Sequence, residues 1–180
     1  MRESVTIAPV TSWQSVRRRS GVLDLVNQIQ HGEPYNYRPG EIPRSEDWFP
    51  ALVNHSDLTV VAYGPTGQPV GYCVALVLTR YPDALAVADE FGVQPSETSY
   101  LAELGVCATA RRHGIASLLL GRMLADPPTG TTAWVTRTLE INTAAITLYQ
   151  RHGFQLVPAV TQVRHGRPRV YLVRHDATCG

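Results

Sequence analysis

The sequence predicts a mixed α/β domain, a mostly antiparallel sheet of six to seven strands flanked by about four helices. Short apolar runs of strand length alternate with longer stretches whose apolar residues recur at helical spacing. Two early strand-like runs are joined by Gly64-Pro65-Thr66-Gly67, which is hairpin turn chemistry. The second half then runs strand–helix–strand–helix–strand. With 180 residues, 44% apolar and 17% charged, the chain suits one domain, 1–180, with its own core and is too apolar for disorder.

Ser4–Pro9 alternates weakly and reads as a first strand. Thr11 and Gln14 have capping-box spacing, and Val22, Leu25, Val26 and Ile29 then share one helical face. Arg17, Arg18 and Arg19 before them read as a solvated face in preference to a phosphate site. His31–Pro43, with three prolines and two glycines, is a loop. Ser45 followed by Glu46 and Asp47 starts a second helix, with acids at the positive end of its dipole and Trp48, Leu52 and Val53 on its buried side. Tyr35, Tyr37, Trp48 and Phe49 of this region suit either a substrate pocket or a minor core.

Leu58–Tyr63 and Val70–Thr79 form the hairpin, and Asp83–Gly92 is a short helix or ordered loop. Ser99–Cys107 is apolar on both faces except at Glu103, as expected of a central strand. Gly114–Leu124 is a Leu-rich helix ended by Pro127 and Pro128. Thr131–Arg137 is strand-like. Asn142–His152 is another helix, and Gly153 sits where a left-handed cap belongs. Phe154–Val157 and Val170–Arg174 close the sheet, with Gly166 turning a hairpin between them.

Several function classes are disfavoured at this level. A net charge of +1 exerts no global pull on nucleic acid or anionic lipid. Cys73, Cys107 and Cys179 have no CxxC or ligand spacing, so they read as reduced thiols of a cytoplasmic protein. No metal is expected, because His31, His55, His152, His165 and His175 lack companion spacing. The N-terminus lacks a signal-peptide pattern, and no run reaches the roughly 18 apolar residues of a membrane span.

The informative stretch is Leu101–Leu124, LAELGVCATARRHGIASLLLGRML. A buried strand ends near Val106, a short loop follows, and an apolar helix begins after Arg111-Arg112-His113-Gly114-Ile115-Ala116. A helix start carries unpartnered N–H groups and partial positive charge. Gly114 and Ala116 let a diphosphate approach the main chain, Arg111 and Arg112 add charge, and Ser117 adds a hydroxyl. The same residues also suit an ordinary strand–loop–helix with surface arginines. The glycine patterns of dinucleotide and Walker-type nucleotide sites are absent. In Asn142–Phe154, NTAAITLYQRHGF, helical spacing puts Asn142, Ala145, Leu148 and Tyr149 on one face. A core-facing helix with a half-buried Tyr satisfies that pattern too.

Together the two stretches resemble the GNAT N-acetyltransferase superfamily. Arg111-x-x-Gly114-x-Ala116 is similar to its coenzyme-binding motif, five residues beyond Val106. Asn142, Ala145, Tyr149, Gly153 and Phe154 are similar to its second pattern, about 30 residues on, with a strand between. The match is clear over Leu101–Val157, and the first hundred residues match only in element order. Ala116 stands where Gly is commoner, His113 where Arg or Gly is frequent, and Thr138–Glu140 is longer than usual.

The resemblance implies a GNAT-like fold and acetyl-CoA as acyl donor. It implies that the main chain of Leu104, Gly105 and Val106 pairs with the pantetheine arm. The backbone of Arg112, His113, Gly114, Ile115, Ala116 and Ser117 would hold the pyrophosphate, Asn142 would contact the coenzyme arm, and Tyr149 would sit near the sulfur. An amine would then attack the thioester directly. Glu103, the charged residue of an otherwise apolar strand, is the candidate base, with a structural ion pair as its alternative. A main-chain N–H near Val106 suits the oxyanion, and the phenol of Tyr149, with a pKa of about 10, suits the departing thiolate.

The acceptor is expected to be a primary amine of a small molecule such as an amino sugar, polyamine, antibiotic or metabolite. Glu33, Glu41, Glu46 and Asp47 would attract it, or serve only their own helix start. A peptide amine is the alternative. An RNA-linked amine such as one on tRNA is a further one, through Arg164, Arg167, Arg169 and Arg174, which equally suit a protected strand edge. A non-catalytic acyl-CoA-binding domain ranks below these because Asn142 and Tyr149 are both present. A homodimer stays open.

Overall fold

A computed structural model of the chain describes residues 5–176; Ser4 and Cys179 lie outside them. The elements are β1 (Thr6–Val10), α1 (Arg19–His31), α2 (Ser45–His55), β2 (Leu58–Tyr63), β3 (Pro69–Val77), α3 (Pro82–Leu85), β4 (Thr98–Val106), α4 (Ile115–Ala125), β5 (Ala133–Leu139), α5 (Thr143–Arg151), β6 (Gln155–Arg164) and β7 (Arg167–His175). The strands form one seven-stranded sheet in the order β1-β2-β3-β4-β5-β7-β6. β4 and β5 are parallel, whereas β1–β2, β5–β7 and β6–β7 are antiparallel. This is the expected mixed, mostly antiparallel architecture, with the one-turn α3 as a fifth helix.

The chain gathers into two compact units. Residues up to Val74 with Glu103–Asp126 form one, and Ala75–Ala102 with the residues from Pro127 onward form the other. In the first, the apolar stripe of α1, Val22, Leu25, Val26 and Ile29, is buried as its spacing predicts. The helix starts differ from the sequence reading. The reciprocal serine contact lies at Ser12 and Ser15, around a 3-10 turn one residue beyond Thr11 and Gln14, where the Ser12 N–H donates to Ser15 Oγ at 3.2 Å. α1 itself begins after Arg18, whose φ of 53° is left-handed. Ser45 is buried inside the first turn of α2, because its hydroxyl donates to the Leu23 carbonyl at 3.2 Å. Phe49 is the most buried apolar residue of α2, edge-on to the rings of Trp13, Trp48 and Tyr72 at 5.9, 5.5 and 5.1 Å. That places Trp48 and Phe49 in the core packing of this unit.

In the second unit all seven residues of β5 are buried. The segment after β3 covers it, with Tyr81 stacked on Tyr100 at 4.2 Å and Phe91 against Tyr171 at 5.1 Å. His165 and Gly166, both with positive φ (50° and 70°), turn the β6–β7 hairpin, as a two-residue primed turn requires. β6 is an edge strand, and the register shift between Val157 and Thr161 contains Pro158, which an edge tolerates. Gly153 has φ 85° and caps α5 as its position predicted.

Candidate active site

The second half of β4 is set by two small residues. A side chain at Gly71 on β3 would meet the Gly105 carbonyl oxygen at 3.0 Å and Leu119 of α4 at 2.9 Å. Cys107 donates its N–H to the Val70 carbonyl at 2.9 Å. Gly105 and Cys107 therefore turn their main-chain groups toward β3. Since successive residues of a strand alternate, Leu104 and Val106 turn theirs toward the opposite edge. The regular β4–β5 register runs from Thr98↔Ala133 only to Leu101↔Thr136, so it ends before these residues.

The Val106 carbonyl accepts from Arg111 Nε at 3.3 Å, which ties the loop back onto the strand end. Arg111 is half-buried for this reason, whereas Arg112 and His113 are exposed. Arg112 has φ 63° and Gly114 φ 83°, with nothing within 4 Å of a side chain placed at Gly114. Gly114 is the N-cap of α4 and provides no side-chain cap. The first α4 bond runs from the Leu118 N–H to the Gly114 carbonyl at 3.0 Å, so the N–H groups of Ile115 and Ala116 precede the hydrogen-bond ladder. An exposed left-handed turn leading into an uncapped helix start can bind an anion through its main chain. The side-chain room and charge fit a diphosphate, with Arg112 and His113 as the exposed basic side chains and Arg111 shaping the loop.

Glu103 is half-buried on β4. Its carboxylate influences Tyr72 and Cys73, both fully buried on β3: desolvation raises each pKa well above its usual value, and the charge of Glu103 raises it further. The Tyr72 hydroxyl has no hydrogen-bond partner. Nothing in the sequence marks Tyr72, which reads there as core.

Asn142 and Tyr149 belong to the other unit. Asn142 is the N-cap of α5, its Oδ1 accepting from the Ala145 N–H and its Nδ2 donating to Thr138 Oγ1, both at 3.2 Å. It thus locks the start of the helix that carries Tyr149. Tyr149 is 5% exposed, its ring 5.5 Å from Phe154.

The same unit holds a buried cation that the sequence reading passed over. Arg137 of β5 donates from Nη1 to Gln162 Oε1 at 2.8 Å and Tyr171 Oη at 3.2 Å, and from Nη2 to Tyr81 Oη at 3.1 Å. A charged residue inside a strand is the signal that singled out Glu103, and Arg137 lies inside β5 in the same way.

The other charged candidates are partly engaged. Glu46 pairs with Arg44 at 2.8 Å, and Glu41 Oε2 accepts the Arg38 N–H at 2.7 Å. In the closing strands Arg164 pairs with Asp83, and Arg174 pairs with Asp176 at 2.8 Å. Among the described residues no three His, Cys, Asp or Glu side chains gather as a metal site, and no helix is long and apolar enough to cross a membrane.

Residues 23–154 match the acetyltransferase (GNAT) family, and the chain belongs to that family. It is an N-acetyltransferase, and the family's acyl donor is acetyl-CoA. Solved structures with the same fold include an IAA acetyltransferase from Bacillus cereus, 17% identical, covering 96% of this chain and 99% of that one, TM-score 0.61. The ribosomal-protein-S18-alanine N-acetyltransferase of Escherichia coli is 16% identical, with coverage of 98% and 97% and a TM-score of 0.65. A GNAT acetyltransferase from Elizabethkingia anophelis, solved with acetyl-CoA bound, is 15% identical, with coverage of 95% and 97% and a TM-score of 0.59. No curated protein matches the chain.

Proposed function

We propose that the protein moves an acetyl group from acetyl-CoA to a primary amine of a small molecule by direct attack. The observation that carries this reading is the uncapped, left-handed entry into α4 at the family's coenzyme motif. In this reading the backbone from Arg112 to Ser117 holds the pyrophosphate, and the outward main chain of Leu104 and Val106, with Gly105 between them, receives the pantetheine arm. Bound there, acetyl-CoA supplies an activated acyl carbon. Glu103 takes the proton that the acceptor ammonium must lose, directly or through water, because only the neutral amine is nucleophilic. The outward N–H of Val106 stabilises charge developing on the thioester oxygen. Tyr149 gives its phenolic proton to the sulfur as the carbon–sulfur bond breaks, so amide and free thiol are the products. Asn142 serves by anchoring α5 and touching the coenzyme arm. Free Cys73 and Cys107 agree with a reducing, cytoplasmic setting.

The small-molecule acceptor ranks above an RNA-linked amine because two of the four tail arginines are already paired with acids. Peptide amines remain the second class, since a ribosomal-protein N-acetyltransferase has the same fold. Calorimetry with acetyl-CoA tests donor binding. Thiol release on a panel of spermidine, glucosamine and alanyl peptides tests turnover. Saturable acetyl-CoA binding with release on a small amine supports the reading. Absent binding removes it, and release on peptides alone moves it to the second class.

Gly114→Ala provides a sharper check of the loop. The space is open, so the penalty is the left-handed backbone alone, about 1–2 kcal/mol for a residue with Cβ. Acetyl-CoA affinity by calorimetry should fall several-fold while the fold survives. Unchanged affinity would take the pyrophosphate away from this loop.

A further inference from the structure

The fully buried Tyr72 lies directly against Gly105. The Cys107–Val70 hydrogen bond fixes the β3–β4 register, and two residues along on each strand Tyr72 faces Gly105. A side chain at Gly105 would meet the Tyr72 ring at Cε1 and Cζ, each 2.9 Å away. The tip of the ring therefore lies over Gly105 beside Ile29 of α1, whose Cδ1 is 2.5 Å from the same point, and the absent side chain admits both. The hydroxyl is carried on Cζ, beside Gly105. Glu103, two residues before Gly105 on the same strand, projects from the same face as Tyr72 crosses.

A buried hydroxyl without a partner is costly. No protein group pairs with it, so a bound water is what would satisfy it. A phenylalanine would fill the same space over Gly105 without that penalty. Burial raises the pKa of the Tyr72 phenol, and the charge of Glu103 and the Tyr35 hydroxyl raise it further.

We propose that the Tyr72 hydroxyl and the Glu103 carboxylate together hold one water molecule, through which the acceptor ammonium is deprotonated. The inference rests on the reading of Glu103 as base and adds Tyr72 as a positioning residue. The water accepts a proton from the ammonium nitrogen as it hands one of its own to Glu103. Ammonium becomes amine and carboxylate becomes carboxylic acid. Water and Tyr72 end unchanged, so no further reactant is needed. The phenol donates to the water oxygen and thereby aims its second hydrogen at Glu103.

The test compares Tyr72→Phe, Glu103→Gln and the double variant, with acetyl-CoA and the fastest amine of the thiol-release panel. Tyr72→Phe should lower kcat about tenfold or more, within the reach of acid–base positioning. Its acetyl-CoA KM should stay within about twofold, and its melting temperature should change little, since the buried ring is kept. The double variant should be no slower than the worse single one, because both act on the same proton. Wild-type kcat in Tyr72→Phe overturns the inference and leaves the Glu103 reading standing if Glu103→Gln is slow. Wild-type kcat in Glu103→Gln overturns the base reading and the inference together. A crystal structure of the acetyl-CoA complex gives a check independent of acceptor. A water within hydrogen-bond distance of both Tyr72 and Glu103 supports the assignment, and its absence overturns it.

Discussion

Arg137→Ala should destabilise the protein by about 2–4 kcal/mol, because it removes several hydrogen bonds made by a buried charged group and leaves their acceptors without a donor. The Arg137 side chain is 3% exposed and sits between aromatic rings, 5.6 Å from the Tyr81 centroid and 5.7 Å from that of Tyr171. Burial works against its charge, yet Tyr100, Tyr81 and Tyr171 around it more than compensate and keep the guanidinium charged. Asp83 contributes less, at 3.5 Å and 46% exposed, where solvent screens the pair. The cluster joins β5, β6, β7 and the segment after β3, so its loss strands the Tyr81 and Gln162 groups that Arg137 satisfies. Arg137→Lys should recover little, because one ammonium cannot reproduce the two-pronged donation. Asp83→Asn should lose less than about 1 kcal/mol, as exposed pairs do. Urea unfolding at equilibrium gives all three values, and an Arg137→Ala midpoint equal to wild type would show that the cluster contributes nothing to stability.

Arg137 and Glu103 also mark the limit of what the sequence discloses. Strands and helices were legible because their signals are local: the stripe Val22, Leu25, Val26, Ile29 on α1, the Gly64–Gly67 turn, and the left-handed Gly153 after α5. The loop and helix start at Gly114 were legible for the same reason, since Gly114 and the start of α4 are neighbours in the chain. Side chains whose meaning comes from another strand were not legible. Arg137 acquires its role from Tyr81 and Gln162, which lie 56 and 25 residues away. Tyr72 acquires its role from Gly105 across the sheet. The helix starts failed for a subtler reason: several hydroxyls and amides compete for the same N–H groups, so Ser12 and Ser15 take the contact assigned to Thr11 and Gln14, and Ser45 turns back onto α1. Asn142 was placed on a helix face by its spacing, but an Asn before the first helical residue is a cap before it is a ligand.

Tyr149→Phe should lower kcat tenfold or more, toward the 10²–10⁴ that a positioned acid contributes, with acetyl-CoA affinity nearly unchanged. The ring is buried in α5 against Phe154 and is retained, and the backbone contacts of the residue, in which its carbonyl accepts from the His152 and Phe154 N–H groups at 2.9 and 3.1 Å, do not involve the hydroxyl. The hydroxyl assigned to the departing sulfur is the group removed. If that proton eases carbon–sulfur cleavage, the loss belongs to the transition state alone, so kcat and kcat/KM fall together while donor binding holds. Steady-state rates understate the effect where product release is slow, so single-turnover rates with acetyl-CoA and the panel amine read the chemical step directly. A single-turnover rate equal to wild type would remove Tyr149 from the chemistry and leave the thiolate to depart without an acid from α5. Slow turnover combined with weakened acetyl-CoA binding would instead make the hydroxyl a coenzyme contact.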